Sequence, residues 1–426
     1  MNTDWKRQLV FWSGAICVGL VAILFALACE WANGIFHRLI NISPYLPLLL
    51  TPVGLALIVY ASRRFFPGSQ GSGIPETIAS LDPKESIQVR EQVLSPRVAI
   101  GKIVLTIMGF FVGASVGREG PTVQIGASIM HRLGGFARFP QHDMEKGLIL
   151  AGGAAGVAAA FNTPLAGIVF AIEEMSRSFE AHNSSTILMT VIIAGITSLA
   201  LIGNYSYFGH THESLAFGSE WGVVIICGIL GGLLGGAFSR VLIAVNAGIS
   251  GRVGTWMRTK PIVFAAACGL VLALLGLASD NTTYGSGYSE AKSLLDGNTT
   301  LPESYGLLKM TATVVSYVSG MPGGIMAPTL SAGAGLGASI AHFLTSAPAG
   351  AAIILGMVAY FAGVTQAPIT AFVIVMEMTD NNGMVLPLMA AAFIAQLCSR
   401  LICPTPLFHA MAKNFIRKST RPSKDG

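Results

Sequence analysis

Three glycine-rich segments contain the residues of this sequence that could do chemistry. They are GSGIPE (71–76), GREGP (117–121) and GGIMAP (323–328), and an apolar run follows the last two. Proline fits the first turn of a helix, where its missing N–H is no loss. Glycine lets backbone N–H groups face a ligand without side chains in the way. Each segment therefore predicts a helix N-terminus with accessible amide donors.

Such helix ends are suited to binding an anion. A helix N-terminus carries about half a positive charge and several unpaired donors. Two or three of them converging on one point would hold a small anion without a full lysine charge, which could bind it too tightly for release. Gly-Pro pairs also commonly occur where helices begin or end without any binding role. Three such segments that contain a serine and a carboxylic acid nevertheless favour an anion site.

Two side chains in these segments could act on the anion. Ser72 offers a hydroxyl donor, although a lone serine more commonly caps a helix. Glu119 is a carboxylate in an apolar setting, where such a group is usually functional. We expect it to point away from Arg118, as adjacent residues entering a helix do. An ionised Glu119 could fill the anion site and a protonated one could leave it, so it is predicted to be gate and proton acceptor together.

The composition predicts a membrane environment for these segments. Of the 426 residues 52% are apolar and only 11% are charged, against about 25% charged in soluble domains. The longest stretch without Asp, Glu, Lys or Arg is 310–376, and a spanning helix needs about 20 apolar residues. The sequence therefore predicts an all-α polytopic membrane protein embedded in a lipid bilayer.

Positive charge is concentrated at the two ends of the chain. Lys6 and Arg7 precede the first apolar run, and the tail 411–426 is basic, which predicts cytoplasmic termini by the positive-inside rule. The net charge of +5 comes largely from these ends, so nucleic acid is not expected as a partner. None of the six cysteines has metal-binding or CxxC spacing, and no metal or cofactor is expected.

The chain contains an internal repeat. Residues 151–173 align without gaps on residues 355–377, and each stretch consists of a small-residue helix, a polar-Pro break and a second helix ending in Glu173 or Glu377. A glycine-rich segment precedes each stretch, which strengthens the match. Transporters built from two repeats bind their substrate near the membrane midplane, where broken helices of both halves meet. The predicted units are a first repeat, a second repeat and a basic cytoplasmic tail, at 1–210, 211–410 and 411–426.

These motifs resemble those of the CLC chloride channel and transporter family. Five segments occur in the family's order and spacing over nearly the whole chain: GSGIPE, GREGPTVQIG (117–126), FNTPLAGIVFAIEEM (161–175), GMPGGIMAPTL (320–330) and APITAFVIVMEMTDN (367–381). The resemblance implies two inverted-topology repeats with tilted and broken helices, in a homodimer with one pathway per subunit. It is to the prokaryotic type without C-terminal nucleotide-binding domains, which implies a bacterial inner membrane.

The resemblance also implies the residues of the transport site. A central chloride would be held by the Ser72 hydroxyl and two backbone N–H groups, while amides of the GREGP segment line an outer position that the Glu119 side chain can fill. The implied chloride-binding residues are Ser72, Ile325, Met326, Phe408, Gly117, Arg118 and Gly120.

A second acid separates exchangers from channels in this family. Exchangers usually carry a glutamate where this chain has Glu174, and channels typically have an apolar residue there. From the sequence alone, Glu173 and Glu174 could equally be an interfacial pair at a helix end. The match favours a proton-coupled chloride antiporter with Glu174 as internal proton relay, and the retained Ser72 favours chloride over nitrate.

Two positions depart from the family pattern. Phe408 stands where a tyrosine usually donates its hydroxyl to the anion, a loss of about 1 kcal/mol, and Met326 replaces a phenylalanine. A passive chloride channel of the same fold is therefore an alternative. An intramembrane enzyme is a further alternative that no Ser–His spacing supports; its candidate residues are Ser72, Ser115, Ser331, His131 and His342.

Overall fold

The protein folds almost entirely into α-helices. The computed structural model describes residues 4–82, 87–136, 142–176, 181–203, 206–298, 301–344 and 347–419. Its helices, in chain order, are α1 (Asp4–Ile42), α2 (Pro47–Phe65), α3 (Ile74–Ser80), α4 (Ile87–Val93), α5 (Pro96–Phe111), α6 (Glu119–Phe136), α7 (His142–Phe161), α8 (Pro164–Phe170), α9 (Ala181–Ile202), α10 (Trp221–Ala247), α11 (Arg252–Thr259), α12 (Pro261–Ala278), α13 (Tyr288–Leu295), α14 (Tyr305–Val318), α15 (Met326–Phe343), α16 (Ala349–Thr365), α17 (Pro368–Thr379), α18 (Val385–Ile402) and α19 (Leu407–Ser419).

Several of these helices can cross a membrane. Among the described residues, six spans are long and apolar enough: Leu9–Ile42, Pro47–Phe65, Arg90–Phe111, Trp221–Ala247, Pro261–Ala278 and Val385–Ile402. The predicted all-α polytopic architecture is confirmed. Part of the predicted basic tail, including Arg421 and Lys424, lies outside the described residues.

The polar-Pro break interrupts a helix in both repeats at the same aligned position. Helix α7 ends at Phe161, is followed by Asn162 with a left-handed φ of +56°, and α8 begins at Pro164. Helix α16 ends at Thr365, is followed by Gln366 with φ of +59°, and α17 begins at Pro368. A residue that precedes proline is disfavoured in the helical region, so neither pair can continue as one helix. The predicted broken helices of two repeats are confirmed.

The two repeats cap each other's helices through their terminal glutamates. The Glu173 carboxylate accepts backbone N–H bonds from Ile369 (3.2 Å) and Thr370 (2.6 Å) at the start of α17. The Glu377 carboxylate accepts the equivalent bonds from Leu165 (3.1 Å) and Ala166 (2.7 Å) at the start of α8. A carboxylate satisfies the free donors of a helix N-terminus and complements its dipole. Both glutamates therefore have a structural role as helix caps.

Glycine pairs allow the long helices to pack closely. A Cβ at Gly126 would collide with the carbonyl oxygen of Gly152, where α6 crosses α7, and a Cβ at Gly333 would lie 2.6 Å from the Gly356 oxygen, where α15 crosses α16. Gly152 and Gly356 are aligned positions of the repeat. Helices in lipid associate through such close backbone approach, and the same device is used in both halves. The unit boundaries at residues 210 and 410 stay predictions.

Candidate anion site

The three glycine-rich segments meet through backbone hydrogen bonds. Gly117 N–H donates to the Gly324 oxygen at 2.7 Å, and Gly324 N–H donates back to the Gly117 oxygen at 2.8 Å. Gly323 N–H donates to the Gly71 oxygen at 3.3 Å. These contacts bring the N-termini of α3, α6 and α15 together, as an anion site built from helix ends requires.

Glycine is required where the segments cross. Gly73 has φ of +104°, and a Cβ there would collide with the Gly120 oxygen. A Cβ at Gly120 would in turn lie 2.6 Å from the Ser72 oxygen and 3.4 Å from the Gly324 Cα. Real side chains do not reach so close to backbone atoms, so the junction closes only because Cβ atoms are absent.

The Glu119 carboxylate lies at this junction. The residue is fully buried, and its Oε2 accepts a long hydrogen bond, 3.4 Å, from the Ala327 N–H in the first turn of α15. The backbone N–H groups of Arg118 and Glu119 also interact with the carboxylate, and its Oε1 has no hydrogen-bond partner among the described residues. A negatively charged side chain thus sits against amide donors that could equally face a free anion.

Arg118 points away from Glu119. Its Nη1 donates to the Glu30 Oε1 at 2.8 Å and to the Ala26 oxygen at 3.0 Å, both on α1. The guanidinium therefore anchors the GREGP segment to α1, and only the backbone of Arg118 faces the junction.

The residues predicted to hold the central anion lie around the same helix ends. Ser72 is 1% exposed, and its Oγ accepts the Ile74 N–H at 3.4 Å, which leaves the hydroxyl hydrogen to donate elsewhere. Ile325 is the N-cap of α15 and Met326 its first residue. Phe408, in the first turn of α19, is fully buried and belongs to the same large apolar core as Ile325 and Met326. The contacts between the glycine-rich segments thus bring Ser72, Gly117, Gly120 and the start of α15 together.

Glu174 has different surroundings from its neighbour Glu173. It is 3% exposed and lies in a π-helical turn, Ala171–Ser176, that continues α8. Its Oε1 is 3.3 Å from the His409 Nδ1, at the start of α19. Turns of this kind are frequent at functional sites. Sequence reasoning missed His409, whose signal was its place directly after Phe408.

Two buried lysines support the site, and sequence reasoning missed both. Lys102 donates from Nζ to the oxygens of Gln70 (3.1 Å) and Gly71 (2.6 Å). Lys309 donates to three successive backbone oxygens, of Thr283, Tyr284 and Gly285, at 2.8–3.2 Å. Both lysines are fully buried. Each therefore satisfies carbonyl groups that would be costly to leave unpaired and fixes the loop that carries them.

These loops are themselves equivalent in the two repeats. GSGYSE (285–290) matches GSGIPE in its Gly-Ser-Gly-x-x-Glu pattern. The Ser286 Oγ accepts the Tyr288 N–H at 3.4 Å, the distance between the Ser72 Oγ and Ile74 N. Lys102 and Lys309 each precede the paired glycine of their repeat by 15 residues (102 to 117, 309 to 324). That shared spacing was the signal that could have revealed the second loop.

A cavity lies beside Glu119. It has a volume of about 180 Å³ and is lined by Arg118, Glu119, Ser286 and Glu290 among others, with the exposed Glu30 at its wall. The second Gly-Ser-Gly loop therefore lines a cavity that contains both the buried Glu119 and an exposed residue.

The serines considered for an enzyme are engaged in structural contacts. The Ser331 Oγ donates to the Gly287 oxygen at 2.7 Å, and the Ser115 Oγ lies 3.2 Å from the Thr313 Oγ1. His131 and His342 lie near Glu145 and Glu303 respectively. None of these described contacts joins a serine to a histidine.

The chain is thus a polytopic membrane protein in which the N-termini of α3, α6 and α15 meet at a buried carboxylate. The sequence model of the family described as voltage gated chloride channel matches residues 53–400, and the chain belongs to this family, the CLC family. Its members are channels and transporters, so the chain is not an enzyme.

Solved structures agree with this assignment. The chain is similar to a slow cyanobacterial Cl⁻/H⁺ antiporter, with 25% identity and a TM-score of 0.81 over 98% of this chain and 99% of that one. It also has the fold of a CLC-type fluoride/proton antiporter (23% identity, TM-score 0.77, 94% and 97% covered). A eukaryotic CLC transporter shares the fold at 18% identity, with a TM-score of 0.76 over 96% of this chain and 74% of that one.

Proposed function

We propose that this protein is a proton-coupled chloride antiporter in which Glu119 is the outer gate and Glu174 the internal proton relay. The observation that carries the proposal is the contact between the buried Glu119 carboxylate and the Ala327 N–H at the start of α15. Ionised Glu119 and chloride each carry one negative charge and use the same kind of donor. They therefore compete for one position. When Glu119 is protonated it loses its charge and leaves this position, and chloride can bind there.

The central chloride would lie beyond this gate. We propose that the Ser72 hydroxyl and the amides of Ile325 and Met326 bind it, with the amides of Gly117, Arg118 and Gly120 lining the outer position. Backbone amides at helix N-termini supply favourable electrostatics without a mobile cation. Such donors bind firmly enough for entry and weakly enough for release.

The second half of the proposal is the path of the proton. Glu174 is a buried acid that, unlike Glu173, caps no helix in the contacts described above. An acid kept at membrane depth without such a role is normally functional. The similarity to a Cl⁻/H⁺ antiporter at 25% identity supports an exchanger over a passive channel.

Flux through reconstituted liposomes tests the proposal. A chloride gradient is expected to drive protons uphill, and empty liposomes treated alike control for leak. Chloride flux without uphill proton movement would establish the passive channel instead. Replacing chloride by fluoride or nitrate in the same assay tests selectivity, because one neighbour of this fold is a fluoride/proton antiporter.

The missing hydroxyl at Phe408 has a measurable consequence. Phe408→Tyr is expected to tighten chloride binding about fivefold, since a net hydrogen bond contributes about 1 kcal/mol. Titration calorimetry with chloride measures the change. Phe415→Tyr, the same substitution at a half-buried position of α19, should leave the affinity unchanged. Equal affinities for all three proteins would remove Phe408 from the chloride site.

We further propose a homodimer with one pathway per subunit. Apolar side chains on α17 and α18, including Ile369, Leu386, Leu397 and Leu401, are 43–80% exposed in the single chain, which suits a subunit interface within the bilayer. Light scattering of the detergent-solubilised protein should give about twice the 44.5 kDa of one chain. A protein mass of one chain would contradict the dimer.

We place the protein in a bacterial inner membrane with both termini in the cytoplasm. Helix α19, which precedes the C-terminal end, carries Arg417 and Lys418 in its last turn, and positive charge beside spanning segments favours the cytoplasmic side. A reporter that is active only in the cytoplasm, fused after the last residue, should be active. Activity of a periplasmic reporter at that position would reverse the orientation.

A further inference from the structure

We propose that His409 is a proton-transfer residue that carries protons between the cytoplasm and Glu174. The proposal rests on the proposed antiport with Glu174 as internal relay. It starts from one juxtaposition, the imidazole Nδ1 of His409 and the carboxylate Oε1 of Glu174 at 3.3 Å.

The two partners differ in their access to water. The Glu174 side chain is 4% exposed and that of His409 is 23% exposed. A buried carboxylate exchanges protons with bulk water only through an intermediate group. His409 is in contact with Glu174 and is the more accessible partner of the pair, so it can serve as that group.

His409 follows Phe408 in the first turn of α19, and Phe408 is fully buried. Phe408 is the residue that the family resemblance assigns to the chloride site, so the proposed anion-site residue and the proposed proton-transfer residue are consecutive in one helical turn. The contact joins residues 235 positions apart in the chain, from different repeats.

The acid next to Glu174 in the chain is already engaged. Glu173 accepts two backbone N–H bonds at the start of α17. Among the described contacts, His409 is therefore the titratable side chain that meets Glu174 directly.

Imidazole chemistry permits the transfer with charge balance. Histidine normally exchanges protons near neutral pH, and its two ring nitrogens can act separately. A hydronium ion of the cytoplasm gives a proton to Nε2 and becomes water, and Nδ1 releases its proton to the Glu174 Oε1, which leaves the imidazole neutral and the carboxylate protonated. One proton thus crosses the ring, and rotation of the ring or exchange with water restores the starting form. The reverse sequence returns the proton to water.

The alternative is that the contact merely fastens α19 to the π-helical turn. His409→Asn separates the two roles, because the amide nitrogen can donate to Glu174 much as Nδ1 does but cannot carry a proton. We expect chloride flux to be retained and coupled proton flux to fall at least about tenfold, in line with the loss of a proton-transfer group. Imidazole trapped inside the liposomes should restore proton flux, which a structural role would not allow.

Three controls complete the experiment. His342→Asn, an exposed histidine on α15, should leave both fluxes unchanged. In a Glu174→Gln background His409→Asn should cause no further loss, because both residues serve one path. If His409→Asn also lost chloride flux, His409→Gln would be measured, and loss of chloride flux in both would show a structural role and overturn the proposal.

The result also separates this proposal from the function on which it rests. Uphill proton movement in the unmodified protein, with normal coupling in His409→Asn, would leave the antiport standing and overturn the role of His409. Absence of uphill proton movement in the unmodified protein would overturn the antiport itself, and the role of His409 with it.

Discussion

Glu119→Gln is expected to abolish proton transport while chloride flux stays measurable. The amide has nearly the shape of the carboxylate but cannot take up a proton at transport pH, so no proton can pass the outer gate. It also carries no negative charge, so it competes poorly with chloride for the Ala327 N–H, which lies 3.4 Å from the carboxylate. Parallel chloride and pH electrodes on one liposome suspension measure both fluxes.

Glu173→Gln is the matched control for this substitution. Glu173 is another acid within an apolar stretch of the chain, but it is half-buried and its carboxylate caps α17 through Ile369 and Thr370. The amide of this variant would retain only one acceptor oxygen for the two N–H groups. The free energy of unfolding should therefore fall by about 0.5–2 kcal/mol, the range for a lost helix cap. The ratio of chloride to proton flux should not change. Proton transport that survived Glu119→Gln would remove Glu119 from its assigned role.

Much of the site could be predicted because its chemistry is local. Glycine and proline at fixed offsets determine where α6 and α15 begin, and a helix N-terminus binds anions in any protein. The position of Glu119 within one such segment was enough to predict that it acts as a gate, which stays a prediction. Composition alone predicted the membrane environment, because too few charged residues are present to cover a soluble surface.

The different contacts of Glu173 and Glu174 could not be predicted in this way. The two residues are adjacent, and nothing in their own sequence says which of them caps a helix. The answer depends on the π-helical turn at Ala171–Ser176, which sets the two directions, and on α17 and α19, which supply the partners. Such contacts between distant segments have no local signature.

The second Gly-Ser-Gly loop was hidden for a different reason. GSGYSE lacks the proline of GSGIPE, so it does not show the pattern of glycines followed by proline that marks the other segments. A fully buried lysine is also unusual, and Lys309 is possible because three carbonyl oxygens receive its ammonium group. The shared position of Lys102 and Lys309 relates the two Gly-Ser-Gly loops to each other, so the similarity between the two repeats extends beyond the aligned helices.

Gly120→Ala is expected to reduce chloride flux at least about tenfold and to lower the melting temperature. The added methyl would lie 2.6 Å from the Ser72 oxygen and 3.4 Å from the Gly324 Cα. Both are backbone atoms that cannot rotate away, so the segments must separate, and overpacking of this kind destabilises by about 1–3 kcal/mol. The same separation displaces Ser72 and the start of α15, which are proposed to hold chloride. A loss of only about 1.4 kcal/mol in the free energy of anion binding weakens the affinity tenfold.

Gly135→Ala in the same helix separates crowding from the substitution itself. Gly135 lies near the end of α6, and apart from its chain neighbours and the backbone of its own helix no described atom lies within 4 Å of the point where a Cβ would stand, so alanine meets no neighbour in the part of the chain that the structure describes. Alanine is the better helix former by about 1 kcal/mol, and this variant should transport normally with equal or higher thermal stability. Chloride flux and melting temperature are measured on both variants. Normal chloride flux in Gly120→Ala would therefore show that the close crossing of the three segments is not what positions the anion.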